Sequence, residues 1–71
     1  MSKELFETIY NDIIEKNYGN LKTMVTLLLK DGLGDSEIPL QSLVLENDYL
    51  MIKHEGKTIY IPYANIGVIA F

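Results

Sequence analysis

Few side chains in this sequence are equipped for chemistry, and their spacing points to binding rather than catalysis. There is one histidine, His54, and no cysteine. An activated nucleophile needs an adjacent base and a group that orients the base. The serines Ser2, Ser36 and Ser42 stand in no such pattern, so no catalytic residue is assigned. Asp31, Asp35 and Glu37 lack the alternating order and terminal glutamate of a calcium loop. Gly32-x-Gly34 is followed by neither a lysine-serine pair nor a third glycine, so it is not a phosphate loop. A lone histidine does not build a zinc site. The expectation is a protein that is not an enzyme and holds no metal and no cofactor.

Aromatic side chains offer a different chemistry. Tyr49, Tyr60 and Tyr63 lie in a β-rich stretch and could stack on the bases of a single strand. Tyrosines also pack in cores and at protein interfaces, which is the favoured reading for Tyr60, whereas the two readings stand even for Tyr63. His54 sits with Lys53, Glu55 and Lys57 in a polar turn, where a solvated cluster is the better reading and a phosphate contact the lesser one.

These residues must be positioned by a small fold. The chain has 71 residues, 48% of them hydrophobic, and reads as one domain, residues 1–71. A domain of this size buries only about 60% of its unfolded surface, so it needs a staple. Without cysteine or a metal site, oligomerisation is the staple that remains. The segment Thr58–Phe71 (TIYIPYANIGVIAF) carries no charge, although ten acidic residues and six basic ones are spread over the rest. An uncharged β-rich segment is an unguarded sheet edge. Ile59, Tyr60, Ile66, Val68, Ile69 and Phe71 are therefore assigned to an interface with further copies of the chain.

The net charge of −4 opposes general binding to duplex DNA. No apolar run approaches the ~20 residues of a membrane span. The opening MSKELFETIY lacks the apolar region of a signal peptide, and the expected location is cytoplasmic.

Leu5, Phe6, Ile9, Tyr10, Ile13 and Ile14 recur at helical spacing, with Ser2 as N-cap and Gly19 beyond the C-terminus, which predicts a helix over about 3–17. Five strands follow over about 23–71. Met24–Asp31 is apolar on both faces, as in a strand covered on both sides. Leu33–Glu37 reads as loop, and Ile38–Glu46 and Asp48–Lys53 as strands. His54–Lys57 is a hairpin turn in which Gly56 supplies a positive φ. Thr58–Ile61 is ended by Pro62, and Ile66–Phe71 is the last strand. Internal repeats are not expected. The fold class is mostly β with one N-terminal α-helix, a small, strongly bent five-stranded barrel.

This element order resembles the Sm-like proteins (Sm, LSm and Hfq), whose barrel is SH3-like. Val25–Gly32 (VTLLLKDG) is similar to the family's first strand and turn. Leu40–Val44 is similar to its second strand, with Ser42 at the usual glycine. Asp48–Ile52 fits the start of the third, and Ile61–Ile66 falls at the second Sm signature. The resemblance implies a homo-oligomeric ring that binds single-stranded RNA, the fourth strand of one subunit pairing with the fifth of the next. It places Tyr49 and Tyr63 as stacking residues, Ile61 and Pro62 as pocket walls and Lys53 as a charge contact. The family's Arg-Gly pair, or the Tyr-Lys-His run of Hfq, is replaced by Pro62-Tyr63-Ala64, and Ile52 stands at its asparagine. A protein-interaction adaptor without nucleic-acid binding is therefore the alternative. Ile61–Ile66 also resembles the I-P-W-x-x-I ending of PRC-barrel modules, against which the long helix argues.

Overall fold

A computed structural model describes residues 1–71, with all side chains except those of Asp35 and Ser36. One helix is followed by six strands: α1 (Lys3–Lys16), β1 (Met24–Leu29), β2 (Gly34–Pro39), β3 (Leu43–Leu45), β4 (Tyr49–His54), β5 (Lys57–Pro62) and β6 (Ile66–Ala70). They form two antiparallel three-stranded sheets, β2-β1-β6 and β3-β4-β5, around one apolar core. The sheets are not closed on each other, because no ladder joins β5 to β6 or β2 to β3.

Helix α1 starts where the sequence predicts. Ser2 accepts from the Leu5 amide through its hydroxyl at 3.1 Å, which satisfies one of the orphan donors of the first turn. At the other end Tyr18 donates to Glu15 O and Gly19 to Ile14 O, at φ values of 57° and 75°. This pair of bonds closes the helix with its left-handed turn begun by a tyrosine rather than a glycine. Phe6 and Ile13 carry the helix into the core, and Ile9, Tyr10 and Ile14 pack at its margin.

The strand count differs from the expected five because a proline breaks the long second strand. Pro39 has no amide to continue the ladder. The chain turns there through one 3₁₀ turn, Leu40–Ser42, and enters the other sheet as β3. Leu40 and Gln41 instead donate to Thr23 O and Leu21 O, at 3.0 and 2.9 Å. The same device recurs. Pro62 ends β5, a 3₁₀ turn at Tyr63–Asn65 follows, and β6 returns the chain to the first sheet.

The two corners share a pattern, Ile38-Pro39-Leu40-Gln41-Ser42-Leu43 and Ile61-Pro62-Tyr63-Ala64-Asn65-Ile66. In a 3₁₀ turn side chains three apart eclipse. Leu40 with Leu43, and Tyr63 with Ile66, therefore point the same way, and all four are buried. Together with Ile38 and Ile61 they are six of the twelve buried apolar residues among those described. A short repeat thus exists where none was expected.

Two further expectations are corrected. The segment Leu33–Glu37, read as loop, contains the start of β2 from Gly34. Its strand lies at a sheet edge and opens with Gly-Asp-Ser-Glu, a turn composition that gives no strand signal before Ile38. Leu33 closes the preceding turn by donating to Asp31 Oδ1 at 2.9 Å. Strand β1 is covered on one face only: Val25 and Leu27 are buried, whereas Met24 and Leu28 are exposed on the other side. The hairpin between β4 and β5 has Glu55 and Gly56 at φ 51° and 76°, the two positive values of a type I′ turn.

Gly34 faces Leu28 across the β1–β2 ladder, and a Cβ there would collide with the carbonyl oxygen of Leu27 and the side chain of Leu28. Gly34→Ala forces β2 away from β1 and is expected to cost about 1–3 kcal/mol. In scanning calorimetry the melting temperature should fall by about 4 °C or more. An unchanged value would show that the two backbones are not pressed together at this point.

Candidate functional site

The residues singled out by sequence separate into two groups. Alternation along β4 and β5 sends Leu50, Ile52 and Ile61 inward and Tyr49, Met51, Lys53, Tyr60 and Pro62 outward. The ladder pairs Tyr49 with Pro62, Met51 with Tyr60 and Lys53 with Thr58, so the outward residues form adjacent rungs of one face. The Tyr49 and Tyr60 rings meet edge to face with centroids 5.5 Å apart. Tyr60 is 62% exposed and Tyr49 36%. The result is an exposed aromatic pair beside a lysine on the outer face of β4 and β5.

Tyr63 does not join that face. Only 5% of its surface is accessible. Its ring lies 5.8 Å from that of Phe6, and its hydroxyl donates to the carbonyl of Glu46 at 2.7 Å. The Met1 amino group donates to the carbonyls of Tyr63 and Ile66 at 2.9 and 2.7 Å, from the same side. Desolvation pushes the Tyr63 phenol above its ordinary value of 10.0, and the Glu46 and Glu7 carboxylates push it the same way. The phenol is a structural donor, and the ring has no open face on which a base could stack. Ile61 is likewise buried and reaches a cavity wall from inside. The expected set of Tyr49, Lys53, Ile61, Pro62 and Tyr63 thus divides into three surface residues and two core residues. The eclipsing of Tyr63 with Ile66 across a proline-led 3₁₀ turn is the signal that would have placed Tyr63 inside.

The expected interface residues divide in a similar way. Ile59, Tyr60, Val68 and Phe71 are exposed, Ile69 is half-buried against the core, and Ile66 belongs to the core outright. Val68 lies opposite Leu28, and together with Met24 they leave the outer face of the β1–β6 ladder apolar and uncovered. The outer edges of β5 and β6 have no strand beside them. Sequence reasoning missed Met24 and Leu28 because it took the second apolar face of β1 as covered.

Ion pairing is local. Lys3 with Glu7 and Lys16 with Asp12 pair along the helix, and His54 Nε2 lies 3.5 Å from Glu55. Among the described residues no group of three or more histidine or acidic side chains is gathered to hold a metal. The side chain of Asp35, weighed above as part of an acidic loop, lies outside the described residues. No helix is long and apolar enough to cross a membrane. Comparison with family models, with curated proteins and with solved structures finds no match for this chain.

Tyr63→Phe tests the structural assignment. It leaves the half-buried Glu46 carbonyl without its donor, and about 1 kcal/mol of stability should be lost in urea unfolding. The phenol holds its proton in the folded state at pH values where the unfolded chain has lost it. Its contribution is therefore full below the ordinary tyrosine value and drains as pH rises through the raised one. The variant should lose that part of the alkaline decline. An identical alkaline profile would reject the assignment.

Proposed function

We propose that the chain is a non-catalytic, Sm-like interaction module that works as a homo-oligomeric ring and serves as a protein adaptor. In this reading β6 of one protomer pairs with β5 of the next, which covers the open edges of those two strands by heterologous closure. The observation that carries it is the apolar surface left on one chain. Val68 on β6, and Ile59 and Tyr60 on β5, are exposed on strands that end the two sheets, Phe71 is exposed just beyond β6, and Met24 and Leu28 are exposed on the neighbouring β1. Soluble monomers guard such edges with charge, and here the sequence from Thr58 to Phe71 supplies none. The adaptor reading is preferred to RNA binding because Tyr63 and Ile61 are core residues and the chain is acidic. A cytoplasmic setting belongs to the same proposal.

A second reading, binding of single-stranded RNA, is favoured by one specific observation. The exposed Tyr49–Tyr60 pair stands next to Lys53 on an open sheet face. Aromatic platforms beside a cation are the usual device of single-strand binders. On this reading the contacts are Tyr49, Tyr60, Lys53 and Pro62.

Val68→Lys is the sharper test of assembly, because Val68 is 47% exposed and points away from the core, whereas Ile69 packs against it. Light scattering should give the wild type a mass that is a multiple of 8.1 kDa. The variant should fall to the single-chain mass with an unchanged circular dichroism spectrum. A monomeric wild type would overturn the assembly proposal.

RNA binding is decided separately by fluorescence anisotropy with oligo-U and oligo-A. If the second reading holds, Tyr49→Ala weakens binding by about 1–3 kcal/mol without changing the oligomer mass. No binding by the wild type leaves the adaptor alone.

A further inference from the structure

The core is not filled everywhere. A cavity of about 190 Å³ opens to solvent between the sheets, walled by Leu27 and Leu29 of β1, Ile38 of β2, Ile52 of β4, and Ile59 and Ile61 of β5. No helix residue reaches it, and among the described residues no lining side chain carries a polar atom. Leu33, at its rim, is exposed. An aliphatic cavity of about 150 Å³ is known to take up benzene, so this one is large enough to hold a guest. At the ~30 Å³ that a water occupies in the liquid, it has room for about six non-hydrogen atoms. A long lipid chain does not fit.

The cross-strand register adds a head-group site. Ile52 lies opposite Ile59, and side chains two apart on a strand share a face. The next rung on that face is His54 opposite Lys57. Among the described residues Lys57 has no ion-pair partner, and the only carboxylate paired at this turn is Glu55, with His54. Lys53 pairs with Thr58 on the opposite face. An apolar cavity is thus followed, one rung on, by an ammonium that none of the described carboxylates pairs.

The geometry points to a binding site for a short-chain carboxylate, its aliphatic body in the cavity and its carboxylate at Lys57. Charge complementarity selects the anion, and the cavity volume limits the chain. The site is built within one protomer and does not depend on the assembly or the adaptor reading.

Titrations of the ¹⁵N-labelled native protein with hexanoate, hexan-1-ol and hexylamine test it. Hexanoate should give saturable shifts at the amides of Leu29, Ile52, Ile59 and Ile61, and it should bind more tightly than hexanol, with hexylammonium weakest. Butanoate should bind roughly fifteenfold more weakly than hexanoate, because two buried methylenes are lost at about fourfold each. Lys57→Glu should weaken hexanoate by about fivefold and leave hexanol unchanged. Ile59→Phe, which fills the mouth, should abolish both with the circular dichroism spectrum retained. Absence of saturable shifts, hexanol binding as tightly as hexanoate, or an unaltered hexanoate affinity in Lys57→Glu would each overturn the proposal. So would binding seen only in Val68→Lys, since that result assigns the cavity to a side chain of another copy.

Discussion

Two prolines set the shape of this chain. Pro39 and Pro62 each stop a strand whose last inward residue is an isoleucine, and each starts a single 3₁₀ turn that delivers the chain to the opposite sheet. Their backbones agree closely, with φ and ψ of −69° and 145° at Pro39 and −57° and 137° at Pro62. A proline cannot donate to a ladder, so the strand must end; its fixed φ also suits the first step of the turn. The turn then places residues one and four on the same side, which puts an apolar side chain from each end into the core. Half of the buried apolar residues described here come from these two corners. Replacing either proline with an ordinary residue would allow the strand to run on and would weaken the separation into two sheets.

The second corner carries more than the first because its core residue is a tyrosine. Leu40 contributes only apolar surface. Tyr63 contributes a ring against Phe6 of the helix and a hydroxyl to Glu46, in the connection between β3 and β4. Those three segments are joined by no ladder, so the tyrosine supplies a cross-link that the sheets lack. Its burial leaves no unsatisfied polar atom, as the short bond to the carbonyl accounts for the hydroxyl. The position that sequence resemblance marked for ligand contact is thus occupied by an internal brace. Surface chemistry is displaced onto the outer face of β4 and β5.

What sequence made legible follows the strength of the local signals. The helix, its Ser2 cap, the Glu55-Gly56 hairpin and the break at Pro62 each rest on a residue with a strong intrinsic preference, and the structure has them all. Strand β2 was hidden because Gly34-Asp35-Ser36-Glu37 reads as turn composition, and only pairing with β1 makes it a strand. Tyr63 was misplaced because the resemblance put it at the family's binding turn, whereas the proline corner, where the period changes from two to three, turns it into the core. The uncovered face of β1 was misjudged for another reason: an apolar pattern records that a face is to be buried, not whether the same chain buries it.

That last distinction bears on how a chain with 48% hydrophobic residues can have so small a core. Leu5, Leu21, Met24, Leu28, Leu33, Ile59, Tyr60, Val68 and Phe71 are all exposed, although several lie on regular strands with inward neighbours that are fully buried. Scattered exposed aliphatics need no explanation, but these include facing residues on one ladder, Leu28 and Val68, and consecutive residues on an edge strand, Ile59 and Tyr60. Of the six lysines, two are paired along the helix and two flank the β4–β5 turn, Lys57 as the first residue of β5; none lies on β6. Charge is therefore absent from β6 and from β5 beyond its first residue, and placed where the chain meets solvent. Such a division does little for the stability of one protomer. It is the division expected of a chain whose hydrophobic burial is completed outside itself.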